Sequence, residues 1–250
     1  MQWLGLTLAF MSALAVNWAY AREHDAAAES PISRPRKEVA MTTRGFVQRV
    51  VPALGVAMVY WKLLRRPILN WGATEAEAVA RLPGDELLED ADGISTRAIT
   101  INAPATAVWP WIAQIGPSPR GGAYTYDWIE NLLGLDMHSA DHVLPEYQQP
   151  QAGDTLGYGK NRMRFARVEP RRALVTQSED GNWVWSFVLT QDNGSTRLIS
   201  RNRFRLPSLT TKVGMAPMEP ASLIMERKML QGIKRRAELL AADADEATRV

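Results

Sequence analysis

The run Thr96-Arg97-Ala98-Ile99-Thr100-Ile101-Asn102-Ala103-Pro104, continuing directly into Ala105-Thr106-Ala107-Val108-Trp109-Pro110-Trp111-Ile112-Ala113-Gln114-Ile115, constrains the fold most. Ile99 and Ile101 alternate with polar neighbours, the period of a half-buried strand. Pro104 lacks an N–H and suits the first turn of a helix. Val108, Trp111, Ile112 and Ile115 then recur on one helical face, and Pro110 predicts a kink or a split. A short strand feeding an amphipathic helix calls for a sheet with a helix laid on it.

Downstream, strand patterns fall at 154–158, 162–169, 172–177, 183–190 and 195–206, after a helix over 124–133 closed by Gly134. Asp192-Asn193-Gly194-Ser195 is a strong hairpin signal. Met218 to Leu240 reads as one long helix whose Leu223, Met225, Met229, Leu230, Ile233, Ala237 and Leu240 form a single stripe. Thr74 and Glu77 have capping-box spacing for a short helix up to Arg81. The order is α+β, with an antiparallel sheet before a long terminal helix.

The N-terminal third reads differently. Residues 1–21 carry no charge, and Ala19-Tyr20-Ala21 resembles a cleavage site without a basic n-region. Residues 22–45 have linker composition, and Met41 opens an alternative start. Val50–Trp61 is a second uncharged run, bounded by Arg44 and Arg49 before and by Lys62, Arg65 and Arg66 after. Residues 1–45 are therefore expected to be a signal-like segment plus linker, and residues 46–66 a transmembrane or membrane-associated helix, with a docked helix as the alternative. Cations at both ends leave the orientation open; the domain is expected on the cytoplasmic side.

Composition bounds the chemistry. There are 29 Lys and Arg against 27 Asp and Glu, a net charge of +2, so no nucleic-acid partner is expected. No cysteine is present, which excludes disulfides and thiolate chemistry. No phosphate loop or Ser nucleophile elbow occurs. His138 and His142 have metal-like spacing without a second ligand cluster, so neither metal nor cofactor is expected. Asp141 is expected to cap a turn or to pair with an arginine.

Trp71-Gly72-Ala73-Thr74, Leu82-Pro83-Gly84-Asp85, the Ala103-Pro104 to Trp111 block, Tyr126-Asp127-Trp128, Ser139-Ala140-Asp141, Pro145-Glu146, Gly153-Asp154, Thr196-Arg197-Leu198 and Met225-Glu226-Arg227-Lys228 resemble an uncharacterised bacterial branch of the SRPBCC superfamily, the START/Bet v 1-like proteins. The resemblance spans residues 70–241. It implies a helix-grip fold, a curved antiparallel sheet around a C-terminal helix, and hence a cavity. Relatives in that superfamily include lipid carriers, hormone-binding proteins, aromatase/cyclases and oxygenase subunits, so the fold alone does not fix an activity.

A two-residue turn at Asn193-Gly194 puts Trp183, Trp185, Phe187 and Leu189 on one face with Leu198, Ser200, Asn202 and Phe204. That face is expected to be concave, with Ser200 and Asn202 either orienting a ligand or satisfying each other or buried water. Glu226 falls inside the apolar stripe of the last helix and must be paired, bonded or protonated. Expected ligand-lining residues are Trp111, Tyr124, Trp128, Trp183, Trp185, Phe187, Ser200, Asn202, Phe204, Glu226 and Met229. The expected partner is a hydrophobic small molecule or lipid, bound without catalysis. The alternatives are a cyclase/dehydratase-type enzyme using Glu226 or Asp127, and an interaction module whose cavity is filled by its own side chains.

Overall fold

The computed structural model describes residue 55 and residues 58–157, 162–206, 208–215 and 218–249. Most of the expected membrane segment, and all of residues 1–45, lie outside that set. Among the described residues no helix is long and apolar enough to cross a membrane. A π-helical turn, Tyr60–Leu64, leads into α1 (Arg65–Leu69), and α2 (Glu75–Val79) follows. Strand β1 (Gly93–Ile101) and helix α3 (Ala105–Ala113) realise the strand–helix signal. Pro104 sits at the N-cap of α3, and the helix continues through Pro110 without splitting.

Helix α4 is Asp127–Leu132, shorter than the 124–133 pattern because Tyr124 takes a left-handed backbone, φ 59°. The remaining strands are β2 (Thr155–Leu156), β3 (Met163–Glu169), β4 (Ala173–Ser178), β5 (Trp183–Asp192) and β6 (Ser195–Phe204), and they are followed by α5 (Leu209–Met215) and α6 (Met218–Arg249). Helix α6 outruns the expected Leu240. Its last turns are Ala-rich and exposed, so helix propensity carries them after the apolar stripe ends.

The described strands form one antiparallel sheet in the order β1-β6-β5-β4-β3-β2, the helix-grip architecture. Asn193 and Gly194 both have positive φ, 46° and 83°, between the paired Asp192 and Ser195. This is the type I′ geometry that Asn-Gly favours. It fixes the β5–β6 register as expected, with Trp185 opposite Asn202 and Phe187 opposite Ser200. Across β6, Arg97 lies opposite Ser200 and Ser95 opposite Asn202. The concave core is closely filled: Phe165, Leu174, Phe187, Leu198, Met229, Leu230 and Ile233 are all buried between sheet, α3 and α6.

The convex face is covered by the segment 74–89. Thr74 and Glu77 form the capping box that starts α2. Glu77 also takes both Nε and Nη2 of Arg197, at 2.8 Å each. Those arginine contacts hold the Glu77 carboxyl down at about 2. Beneath this cover the guanidinium of Arg201 is buried against Asp85 at 2.7 Å.

Candidate functional site

The concave face carries a polar centre at one end of the apolar core. Strand alternation brings Arg97 of β1 onto the same side as Ile99 and Ile101, and helical phase brings Glu226 of α6 down onto it. Arg97 Nη1 donates to Glu226 Oε2, Nη2 donates to Ser222 Oγ at 2.9 Å, and Nε donates to the Ile68 carbonyl at 3.3 Å. The second carboxylate oxygen of Glu226 accepts from the Ser200 hydroxyl and from Asn202 Nδ2 at 3.3 Å. Ser200 in turn accepts from the Trp185 indole at 2.9 Å, and Asn202 accepts from the Trp183 indole at 3.0 Å. Each of the two polar residues therefore ties a tryptophan to Glu226; they do not satisfy each other.

The indoles of Trp183 and Trp185 stack at 6.0 Å and 14°, and Phe204 stacks on Trp183 at 5.9 Å and 22°. These three rings are only partly buried, whereas Phe187, tilted against Trp185 at 4.7 Å, belongs to the closed core. The side chains that the strand register puts on one face thus stack as one aromatic row, partly exposed at Trp183, Trp185 and Phe204.

Other expected lining residues divide. Trp111 and Tyr124 meet edge-to-face at 6.0 Å, and the Tyr124 hydroxyl donates to the Trp111 carbonyl at 2.9 Å. Burial pushes that phenol up. Both residues, with Met229, help fill the core. Trp128 is 52 % exposed and is not part of the closed core. Its near neighbour Glu130 is fully buried, with neither carboxylate oxygen hydrogen-bonded. Burial pushes the Glu130 carboxyl up to about 7, and the Asp127 charge adds to the shift. A six-residue helix is too short for periodicity to fix its phase, so the sequence pattern alone does not tell which of these two positions faces inward.

Asp127 accepts from the Ser139 backbone N–H at 2.7 Å and from its hydroxyl, so it anchors the 139–141 loop. Asp141 pairs with Arg236 at 2.9 Å, the arginine partner expected for it. His138 and His142 are exposed, and His138 stands 3.0 Å from Asp136. Among the described residues no group of three or more His, Cys, Asp or Glu is placed to hold a metal ion. Surface concavities among the described residues include one of about 360 Å³ along α6 at Gln231, Arg235 and Leu239 and one of about 500 Å³ on the convex side at Ala78, Arg81 and Arg203.

Fold and site together define an α+β helix-grip domain with a buried ion pair behind an aromatic wall. No family model matches the sequence. No curated protein matches it either. Among solved structures, the chain is similar to the polyketide-cyclase-like protein Cgl2372 from Corynebacterium glutamicum, at 18 % identity over 61 % of this chain and 91 % of that one, TM-score 0.33. It is also similar to protein Ms6760 from Mycobacterium smegmatis, at 13 % identity over 60 % and 92 %, TM-score 0.35. Protein NE0264 from Nitrosomonas europaea shows 10 % identity over 63 % and 99 %, TM-score 0.39.

Proposed function

We propose that this domain binds a hydrophobic small molecule or lipid against the Trp183–Trp185–Phe204 wall, without catalysis. The partly open stack of three aromatic rings carries the reading, because such a surface offers large apolar contact area with little side-chain entropy to lose. Ser200 and Asn202 both donate to Glu226, which also takes Arg97, so the three shape the wall and do not present a free acid. Asp127 is likewise held by Ser139. A general acid/base needs a group free to exchange its proton with substrate, and that requirement favours binding over a cyclase or dehydratase at these two positions.

The filled core between Phe187, Leu198, Met229 and Ile233 supports a second reading, an interaction module with no internal ligand. Native mass spectrometry of detergent-free full-length protein separates the two. The binding reading expects a lipid-sized adduct, or saturable uptake of N-phenyl-1-naphthylamine, weakened about tenfold in Trp183→Leu. A clean apoprotein mass with no saturable uptake of that probe would leave the interaction module.

A further inference from the structure

The helix entering the domain carries an apolar surface that nothing in the described chain covers. Met58, Val59, Trp61, Leu63 and Leu64 are 62, 51, 59, 67 and 49 % exposed. The same helix is fastened to the domain by two side chains and a carbonyl. The Tyr60 hydroxyl donates to Glu219 at 2.6 Å, and Arg65 holds the same carboxylate at 2.8 and 3.0 Å while lying 4.5 Å over the Trp61 ring. The Ile68 carbonyl accepts from Arg97. The apolar residues are therefore displayed on a clamped helix, and large exposed apolar side chains grouped in this way mark an interaction surface.

Charge selects the occupant. No Asp or Glu occurs from Val39 to Thr74, whereas Arg44, Arg49, Lys62, Arg65 and Arg66 all do. Arg65 is committed to Glu219, but Lys62 and Arg66 are exposed beside the apolar patch. The contact of Arg66 with Glu75, at 3.7 Å between two highly exposed side chains, contributes little. A second copy of the chain would bring like charges together. We propose that the Met58–Leu64 face inserts into the surface of a bilayer containing anionic lipid, with Lys62 and Arg66 among the headgroups. The Glu219 clamp sets the domain's orientation on that surface. The Glu219 carbonyl accepts from Ser222, and Ser222 accepts from Arg97. Strap and aromatic wall thus share one hydrogen-bonded network at the start of α6. Docking through this face does not depend on what the wall binds.

The absence of cysteine allows a direct test on the full chain. Leu63→Cys and, as a control on the exposed outer side of α6, Leu239→Cys are each labelled with an NBD fluorophore. Phosphatidylcholine vesicles containing phosphatidylglycerol should blue-shift and brighten the label at 63 and leave that at 239 unchanged. Lys62→Glu with Arg66→Glu should weaken vesicle binding by about tenfold or more. An unchanged signal at 63, or a shift indifferent to lipid charge, would overturn the proposal. So would a shift that appears without vesicles and grows with protein concentration, which would assign the face to a second copy.

Discussion

Arg97 in β1 and Glu226 in α6 form a buried ion pair across 129 residues of sequence, and this pair closes the terminal helix onto the sheet. Removing one partner leaves the other charge in the interior. Glu226→Ala should therefore cost about 3–5 kcal/mol of unfolding free energy, measured by urea denaturation. Glu226→Gln keeps an acceptor for Ser200 and Asn202 but not the charge, and its stability should fall between those of wild type and Glu226→Ala. The double variant Arg97→Met, Glu226→Leu should be more stable than Glu226→Ala. A loss below about 1 kcal/mol in Glu226→Ala would mean the pair is not closing the fold.

Glu130 makes stability depend on pH in the opposite sense to most acids. Burial raises its folded carboxyl from 4.5 to about 7, so the folded state holds the proton more tightly than the unfolded chain. Its stabilising contribution is complete below about 4.5 and is lost as pH rises through about 7. At 1.36 kcal/mol per unit, the swing is on the order of 3 kcal/mol. Glu130→Gln should flatten that part of the stability profile and raise the melting temperature at pH 8. A variant that melts like wild type at both pH 5 and pH 8 would place this carboxyl in water.

Much of this arrangement is legible in the amino-acid sequence. The Asn193-Gly194 turn sets the β5–β6 register, and the 3.6-residue stripe of α6 puts Glu226 inside. Its partner is harder to find. Arg97 has the same strand parity as Ile99 and Ile101, so period-2 reasoning points it inward, but an inward arginine makes sense only with a distant carboxylate to meet it. The Glu219 clamp on Tyr60 and Arg65 has no local signature at all, being made by residues 154 and 159 positions apart. Glu130 is buried and Trp128 exposed because tertiary packing against α6, where Ile129 meets Ala221 and Met225, sets the phase of a helix with fewer than two turns.

Gly232 in α6 should resist replacement by alanine even though alanine is the better helix former. A Cβ there would lie 2.6 Å from the Tyr124 carbonyl oxygen and 2.8 Å from its Cβ. Tyr124 cannot retreat easily: its left-handed backbone is held by the Ser139 hydroxyl on its N–H and by its own hydroxyl on Trp111. The intrinsic gain of about 1 kcal/mol from Gly to Ala is outweighed by overpacking of about 1–3 kcal/mol. Thermal denaturation of Gly232→Ala should show a lower midpoint, with altered near-UV signal from the Trp111–Tyr124 contact. A raised midpoint would show that α6 and the Tyr124 loop are free to separate.

Arg201 is the tie that holds the 74–89 cover on the convex face, and lysine should not replace it. All five of its N–H donors are used: Nε to Thr96 Oγ1 at 3.0 Å, Nη1 to the Ala80 carbonyl and Asp85 at 2.7 Å each, and Nη2 to the carbonyls of Glu77 and Ala78 at 2.6 and 3.1 Å. Three of these acceptors are carbonyls at the C-terminal end of α2, where the chain leaves orphan acceptors that favour a cation. A lysine retains the charge for Asp85 but has three donors on one atom, so at least two buried acceptors lose their partner. Arg201→Lys should cost about 2–4 kcal/mol in urea denaturation. Because most of the lost bonds lie under α2, opening of the cover should accelerate as well, and limited trypsin digestion at the exposed Arg81 should proceed faster than in wild type. Unchanged cleavage at Arg81 together with unchanged stability would show that the cover is held by the Arg197–Glu77 contact and the capping box without Arg201.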